Sequence, residues 1–172
     1  MAKKFLRQLC FKGNYAYVPL TRGYEAIIDL DDALIVQSFN WHVCFTGGTP
    51  YARCSKLRDA AGKRIKASLH RRIMRPAADQ LVDHINGNGL DCRRMNMRLA
   101  NHTQNARNCC IRDDNTSGFK GVGFHKASKL WVARISVNGK RIHLGCFATA
   151  KDAHDTYCDA SKDYHKEFGR LK

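Results

Sequence analysis

The dipeptide Asn138-Gly139 stands between two alternating runs, "KLWVARISV" and "KRIHLGCF". Residues of this type accept the positive φ angles of a two-residue turn whose twist matches antiparallel strands, so a tight hairpin is predicted here. The run "GFKGVGFH" upstream supplies a third strand. Downstream, "TAKDAHDTYCDASKDYHKEFG" sets Ala153, Tyr157, Ala160 and Tyr164 at helical spacing behind a Thr149 cap, which predicts one helix over one face of the sheet. Alternation then sorts the side chains. Trp131, Ala133, Ile135 and Val137, with Ile142 and Leu144, turn toward the helix, while Val132, Arg134, Ser136, Arg141 and His143 turn away.

The rest of the chain is also written in short pieces. "YAYVPL", "YEAIIDL", "NWHVCF", "TGGTPY", "YARCSK" and "RIKASL" are β-type runs separated by turn signals, among them "DAAGK". They predict a small antiparallel sheet with one helical turn near Asp31 to Gln37. "LHRRIM", Leu69 to Met74, reads as a helix that must close before Pro76. Strands follow at Leu81 to His84 and Met97 to Ala100, then a helix from His102 to Asn108 capped by Asn101. The fold class is α+β. The polar, turn-rich "CCIRDDNTSG" reads as a joint and divides the chain into 1–108, a linker at 109–116, and 117–172.

Thirty Lys and Arg against fifteen Asp and Glu leave a charge of +15, spread along 172 residues. Such an imbalance favours a polyanion, nucleic acid first. A membrane surface is the weaker reading, since no apolar run reaches about 18 residues. The N-terminal stretch lacks a clean apolar segment with a small-residue cleavage site, so an intracellular protein is expected. Eight cysteines are irregularly spaced without any C-x-x-C, which argues against a disulfide scaffold and against structural zinc. Most of the thiols read as small apolar fillers.

Within the remaining stretch Asp83 and His84 are adjacent, Asn96 lies twelve positions after His84, and Asn105 nine further on. This segment, "DHINGNGLDCRRMNMRLANHTQN", resembles the HNH endonucleases of homing and phage type, whose signature runs "DHINGN..D.RR.NLR.A...QN". It departs from that signature only at Met97, and "LHRRIM" resembles the family's lead-in helix. The resemblance implies a ββα-metal nuclease core over about residues 81–108. In it His84 is the general base, Asp83 and Asn105 hold one divalent ion, and Asn96 closes the hairpin and orients His84. Two oxygen donors suit Mg²⁺ or Mn²⁺. Strand neighbours point to opposite faces, so Asp83 and His84 meet at one point only if the strand end twists or bulges. Read singly, His84 is a surface or core histidine, Asn105 a cap or surface amide, and His70 and Arg71 structural. Arg93, Arg94, Arg98 and Arg107 divide evenly between solvated arginine and phosphate contact, and His102 is a further candidate beside Asn105.

The segment from Ser117 to Leu171 resembles the plant Apetala and ethylene-response-factor type of DNA-binding domain, through "GV", "W.A.I" and "LG.F.TA..A...Y..A". That resemblance implies a three-stranded antiparallel sheet packed on one helix, with an open face that enters a major groove. Lys120, His125, Arg134, Ser136, Arg141 and His143 would lie on that face, with Arg98 and Arg107 as further DNA contacts. Gly123 stands where the plant domains carry an arginine, and Trp131 reads as core. Such domains also occur fused to HNH nucleases in phages and mobile elements. The combined expectation is a metal-dependent endonuclease of double-stranded DNA, encoded by a phage or mobile element in a bacterial host. One active site cuts one strand, so a double-strand break would require a homodimer or a second encounter. The alternatives are a non-catalytic, sequence-specific DNA-binding regulator and an RNA-directed protein. The intact Asp83, His84, Asn96 and Asn105 set argues against the first, and the lack of paired exposed aromatics on the C-terminal sheet against the second.

Overall fold

The computed structural model describes residues 6–58, 62, 64–109, 111 and 114–171. The chain is a mixture of small antiparallel sheets and few helices. It forms two compact units, residues 1–100 and 101–172.

In the first unit, β1 (Cys10–Lys12), β2 (Tyr15–Pro19) and β3 (Glu25–Asp29) make one antiparallel sheet in that order. A second sheet is made by β4 (His42–Thr46), β5 (Thr49–Arg58) and β6 (Arg64–Ser68). The single sheet expected over this region is therefore two. The break follows from the stretch between them, where a helical turn at Leu30–Asp32 runs into α1 (Ala33–Val36) and the fully buried Trp41 anchors its Nε1–H on the Val36 carbonyl at 3.0 Å. Alternate residues Ala16, Val18, Ala26 and Ile28 of β2 and β3 meet Trp41, Val43 and Ala52 in one core. Helix α2 (Leu69–Met74) buries Leu69 and Ile73, one turn apart, in the same core, and ends on Arg75 in the left-handed region just before Pro76.

The unit closes with the hairpin of β7 (Leu81–His84) and β8 (Met97–Ala100). Its ladder pairs Asp83 with Arg98 and His84 with Met97 without a register shift. No register shift marks a bulge at this strand end, which leaves the twist of the short hairpin to bring Asp83 and His84 toward one point. The filler role expected of most cysteines holds for Cys54 and Cys92; Cys10, Cys109 and Cys146 are exposed. The turn over Asp59–Lys63, Gly62 apart, and Cys110, Arg112 and Asp113 of the expected linker lie outside the described residues.

The second unit begins with α3 (His102–Arg107), whose amino end is fastened by a reciprocal capping box. Gln104 N–H donates to Asn101 Oδ1 at 2.8 Å and Asn101 N–H donates to Gln104 Oε1 at 2.9 Å. Strands β9 (Val122–His125), β10 (Leu130–Val137) and β11 (Lys140–Phe147) form a sheet with β10 in the middle. Asn138 and Gly139 both take positive φ in the turn. Arg134 pairs with His143 and Ala133 with Gly145, which leaves Leu144 as a bulge residue. Helix α4 (Ala150–His165), capped by Thr149, packs on the sheet through Ala153, Tyr157, Ser161 and His165. The expected stripe through Ala160 and Tyr164 is thus corrected, and Tyr164 is 47% exposed. Apolar periodicity misses Ser161 and His165 because they are polar. They bury as a linked pair, Ser161 Oγ 3.4 Å from His165 Nδ1 and His165 Nε2 donating to the Ser136 carbonyl at 2.9 Å.

Candidate active site

The loop between β7 and β8 is tied by side-chain amides. Asn96 Nδ2 donates to the Asp91 carbonyl at 2.8 Å and to Asn86 Oδ1 at 3.0 Å, while Asn86 N–H donates to Asn96 Oδ1 at 3.0 Å. Ile85 N–H closes the same ring on the Asn96 carbonyl, and Leu90 N–H donates to Asn88 Oδ1. Asparagine recurs here because its amide both donates and accepts, replacing backbone partners that a loop cannot offer. Asp91 takes both a 2.8 Å and a 2.7 Å bond from the Arg93 guanidinium and a third from Asn86 Nδ2; the Arg93 bonds hold its carboxyl below the usual range.

The loop is also stitched to distant chain. Ile27 N–H donates to the Leu90 carbonyl and Cys92 N–H to the Ile27 carbonyl. Arg94 donates its N–H to Asp29 and grips the buried Asp32 with two side-chain bonds of 2.9 and 2.7 Å. Gly89 lies where a Cβ would sit 2.5 Å from both the Pro50 carbonyl and the Tyr51 ring, so this position admits no side chain.

His84, 5% exposed, lies among aromatic neighbours from other elements. The His70 ring of α2 meets it edge-on at 5.2 Å between centroids, and the Tyr51 ring of β5 lies at 5.9 Å. Cys92 Sγ is 3.9 Å from His84 Nε2. Burial pushes the His84 pKa down, against the opposing pull of Asp83 and Asp91, and drives that of His70 down to about 3, with His84, Arg71 and Arg53 adding to the effect. At neutral pH both rings are therefore neutral bases rather than cations. Burial likewise pushes the Cys92 thiol up, so it stays protonated.

Asp83 is 4% exposed, and its Oδ2 receives two Arg98 nitrogens at 2.8 Å across the ladder. Arg98 is thus engaged inside the unit. The oxygen donors expected for a hard divalent cation are the Asp83 carboxylate and the Asn105 amide. That donor chemistry suits Mg²⁺ or Mn²⁺, with one carboxylate oxygen already shared with a guanidinium. Among the described residues no group of three or more His, Cys, Asp and Glu side chains is arranged to hold a metal. Asp83, His84 and Asn96 belong to the first unit, and Asn105 lies on α3 of the second.

In the second unit Arg134, Ser136, Arg141, His143 and His125 are all exposed on the sheet, His125 accepting or sharing a proton with Ser128 Oγ at 2.8 Å. Lys120 is placed differently. Its Nζ donates to the carbonyls of Arg107 and Cys109 at 2.6 and 2.8 Å and so caps the carboxy end of α3. A cavity of about 740 Å³ opens between α3, through His102, Thr103, Ala106 and Arg107, and the outer side of β10 and β11, through Val132, Arg134, Ser136 and Arg141. Sequence reasoning missed this cavity and the Tyr51 and His70 wall of His84, because each is made by elements far apart in the chain.

Over 60 residues the chain is 37% identical to protein 3.8 of Escherichia phage T7, a stretch covering 35% of this chain. The matched stretch spans half the length of that protein. No protein family profile matches the chain, and no solved structure does. No helix among the described residues is long and apolar enough to cross a membrane.

Proposed function

We propose that this chain is a metal-dependent DNA endonuclease of the HNH kind, with the ββα unit at β7, β8 and α3 as its catalytic part and the C-terminal sheet as a DNA-binding module. The observation that carries the reading is the imidazole of His84, buried at the end of a hairpin whose loop is closed by Asn96. Phosphodiester hydrolysis needs a base that takes a proton from the attacking water, and an imidazole kept neutral by burial is in the required state. Asn96 holds the loop that follows His84 and so fixes the ring's approach, a positioning role. The cation, held by Asp83 and Asn105, would supply positive charge at the scissile phosphate and the leaving oxygen. The partial likeness to a phage protein supports a phage or mobile-element origin in a bacterial host. Double-stranded DNA is the substrate, cut one strand at a time unless two copies act together.

Plasmid incubated with Mg²⁺ or Mn²⁺, beside excess chelator and beside an RNA substrate, tests this directly. Cleavage of the plasmid alone, lost with chelator and lowered about 10²- to 10⁴-fold in His84→Ala while DNA binding persists, is the expected result. Asp83→Ala and Asn105→Ala should lose metal-supported turnover. A His84→Ala protein that cuts normally overturns the assignment. The Asp83–Arg98 ion pair favours a second reading, a non-catalytic DNA-binding regulator, because a guanidinium sits on the oxygen a cation would use. Tight DNA binding without cleavage under every metal tried would establish it.

A further inference from the structure

The cavity of the second unit lies on the same outer side of β10 and β11 whose arginines the DNA-binding reading uses, and it has a concave shape of its own. Arg107 of α3 lines it together with Arg134 and Arg141 of the sheet, and no carboxylate among the described residues does. Arg107 Nε is buried without a hydrogen-bond partner among the described residues. A guanidinium N–H in that state carries an uncompensated desolvation cost that an anionic oxygen would remove. His165, at the cavity wall, registers the same field: burial, then the Arg107 and Lys120 charges, depress its pKa against the Ser136 bond.

Beside His102, Thr103, Ser136 and Asn138, part of the lining is apolar or glycine. Val132 is 5% exposed although it points to the outer side of β10, and the Tyr157 ring is pressed against the backbone of Gly121, where a Cβ would collide with it. Gly123 opposes Val132 on β9, and its missing side chain leaves open space. The volume falls in the range of roughly 300–1,000 Å³ usual for small-molecule sites and is far too small for a double helix.

We propose that this cavity is a nucleotide site. It would take a single nucleoside 5′-phosphate, with the phosphate on Arg107 and Arg141 and the base against Val132 and Tyr157. The ligand is either a free mononucleotide or the 5′-phosphorylated end of a DNA strand, which share this chemistry. The residues that line the cavity all belong to the second unit and do not include His84, so the proposal does not depend on the endonuclease reading. Asn105, three residues after the lining His102 on α3, is not itself among the residues that line the cavity.

The test is calorimetric titration of the full chain in chelating buffer, so that no cleavage enters. Probes are thymidine 5′-monophosphate, thymidine, inorganic phosphate, and a thymidine tetranucleotide with or without a 5′-phosphate. The monophosphate or the phosphorylated tetranucleotide should bind, with thymidine, inorganic phosphate and the unphosphorylated tetranucleotide each at least tenfold weaker. Binding of the tetranucleotide but not the monophosphate assigns the site to strand ends; binding of the monophosphate assigns it to free nucleotide. Arg107→Gln should weaken the phosphorylated probe about tenfold. Gly123→Leu places a side chain in the open space at a strand position of ordinary φ, so the protein should melt normally and lose the site. If neither phosphorylated probe binds, if inorganic phosphate binds as well as they do, or if Gly123→Leu binds with unchanged affinity, the proposal is overturned.

Discussion

The two units use their arginines in opposite ways. In the first, Arg93, Arg94 and Arg98 each close on one buried carboxylate, Asp91, Asp32 and Asp83, so positive charge acts as internal fastening for the hairpin. In the second, the pairs Lys151–Asp155 and Lys162–Asp159 run along the exposed side of α4, while Arg134 and Arg141 stand on the sheet with no carboxylate among the described residues of the cavity they share. The acids are gathered on the helix and the bases on the sheet. A net charge of +15 therefore does not convert into a list of phosphate contacts; which cations already hold a carboxylate decides it.

Removing one fastening should give the largest effect. Arg94→Ala leaves Asp32, 1% exposed, as an unpaired buried charge and should cost about 3 kcal/mol in urea unfolding. Arg134→Ala on the open sheet should change stability by about 0.5 kcal/mol or less. Equal losses from the two substitutions would erase the contrast between the units.

Acid should separate the units next. A histidine whose folded pKa is depressed binds fewer protons folded than unfolded, so its stabilisation is complete above about pH 6.5 and is lost as pH falls toward the folded value. For His70 that loss runs from about pH 6.5 to about 3, at up to about 1.4 kcal/mol per pH unit, and His84 adds in the same direction. Trp41 lies in the first unit and Trp131 in the second, so fluorescence melts of Trp131→Phe follow the first unit alone. They should fall steeply between pH 7 and 4.5, and less so with His70→Phe added. A melting temperature independent of pH over that range would contradict the buried neutral pair.

The smallest effect is on salt dependence. Arg134→Ala and Arg141→Ala should each reduce the slope of log K against log salt for DNA by roughly 0.9 if the residue contacts a phosphate, whereas Arg93→Ala should leave the slope unchanged. A change with Arg93→Ala and none with the sheet variants would reverse the comparison.

Local signals made much of this legible. The ends of α2, β7 and β8 coincide with the sequence reading because Pro76, the Asn-Gly-rich loop and the Asn101 cap are each decisive within a few residues. The strand alternation of β10 is likewise readable over its second half, where Arg134 and Ser136 are exposed on either side of buried Ile135, whereas Val132 is buried on the outward side. What could not be read depends on separation. Asp32 and Arg94 stand 62 positions apart, and nothing in either neighbourhood announces the other. Lys120 looks like a groove contact until α3 supplies the carbonyls that occupy it. Tyr51 and His70 join His84 only through the packing of β5 and α2 beside the hairpin.

The stitching of the hairpin loop to β3 also governs when the first unit can finish folding. The Arg94 N–H reaches Asp29 across 65 positions, and the bonds between Ile27 and Leu90 or Cys92 span a similar length. Closing so long a stretch costs entropy before any bond repays it. The β1–β3 sheet, made of neighbours in sequence, forms first and serves as the template. The loop after His84 docks on it late, so weakening that dock would hasten unfolding while barely slowing refolding. His84 is thus given its surroundings only once nearly the whole of the first unit is already in place.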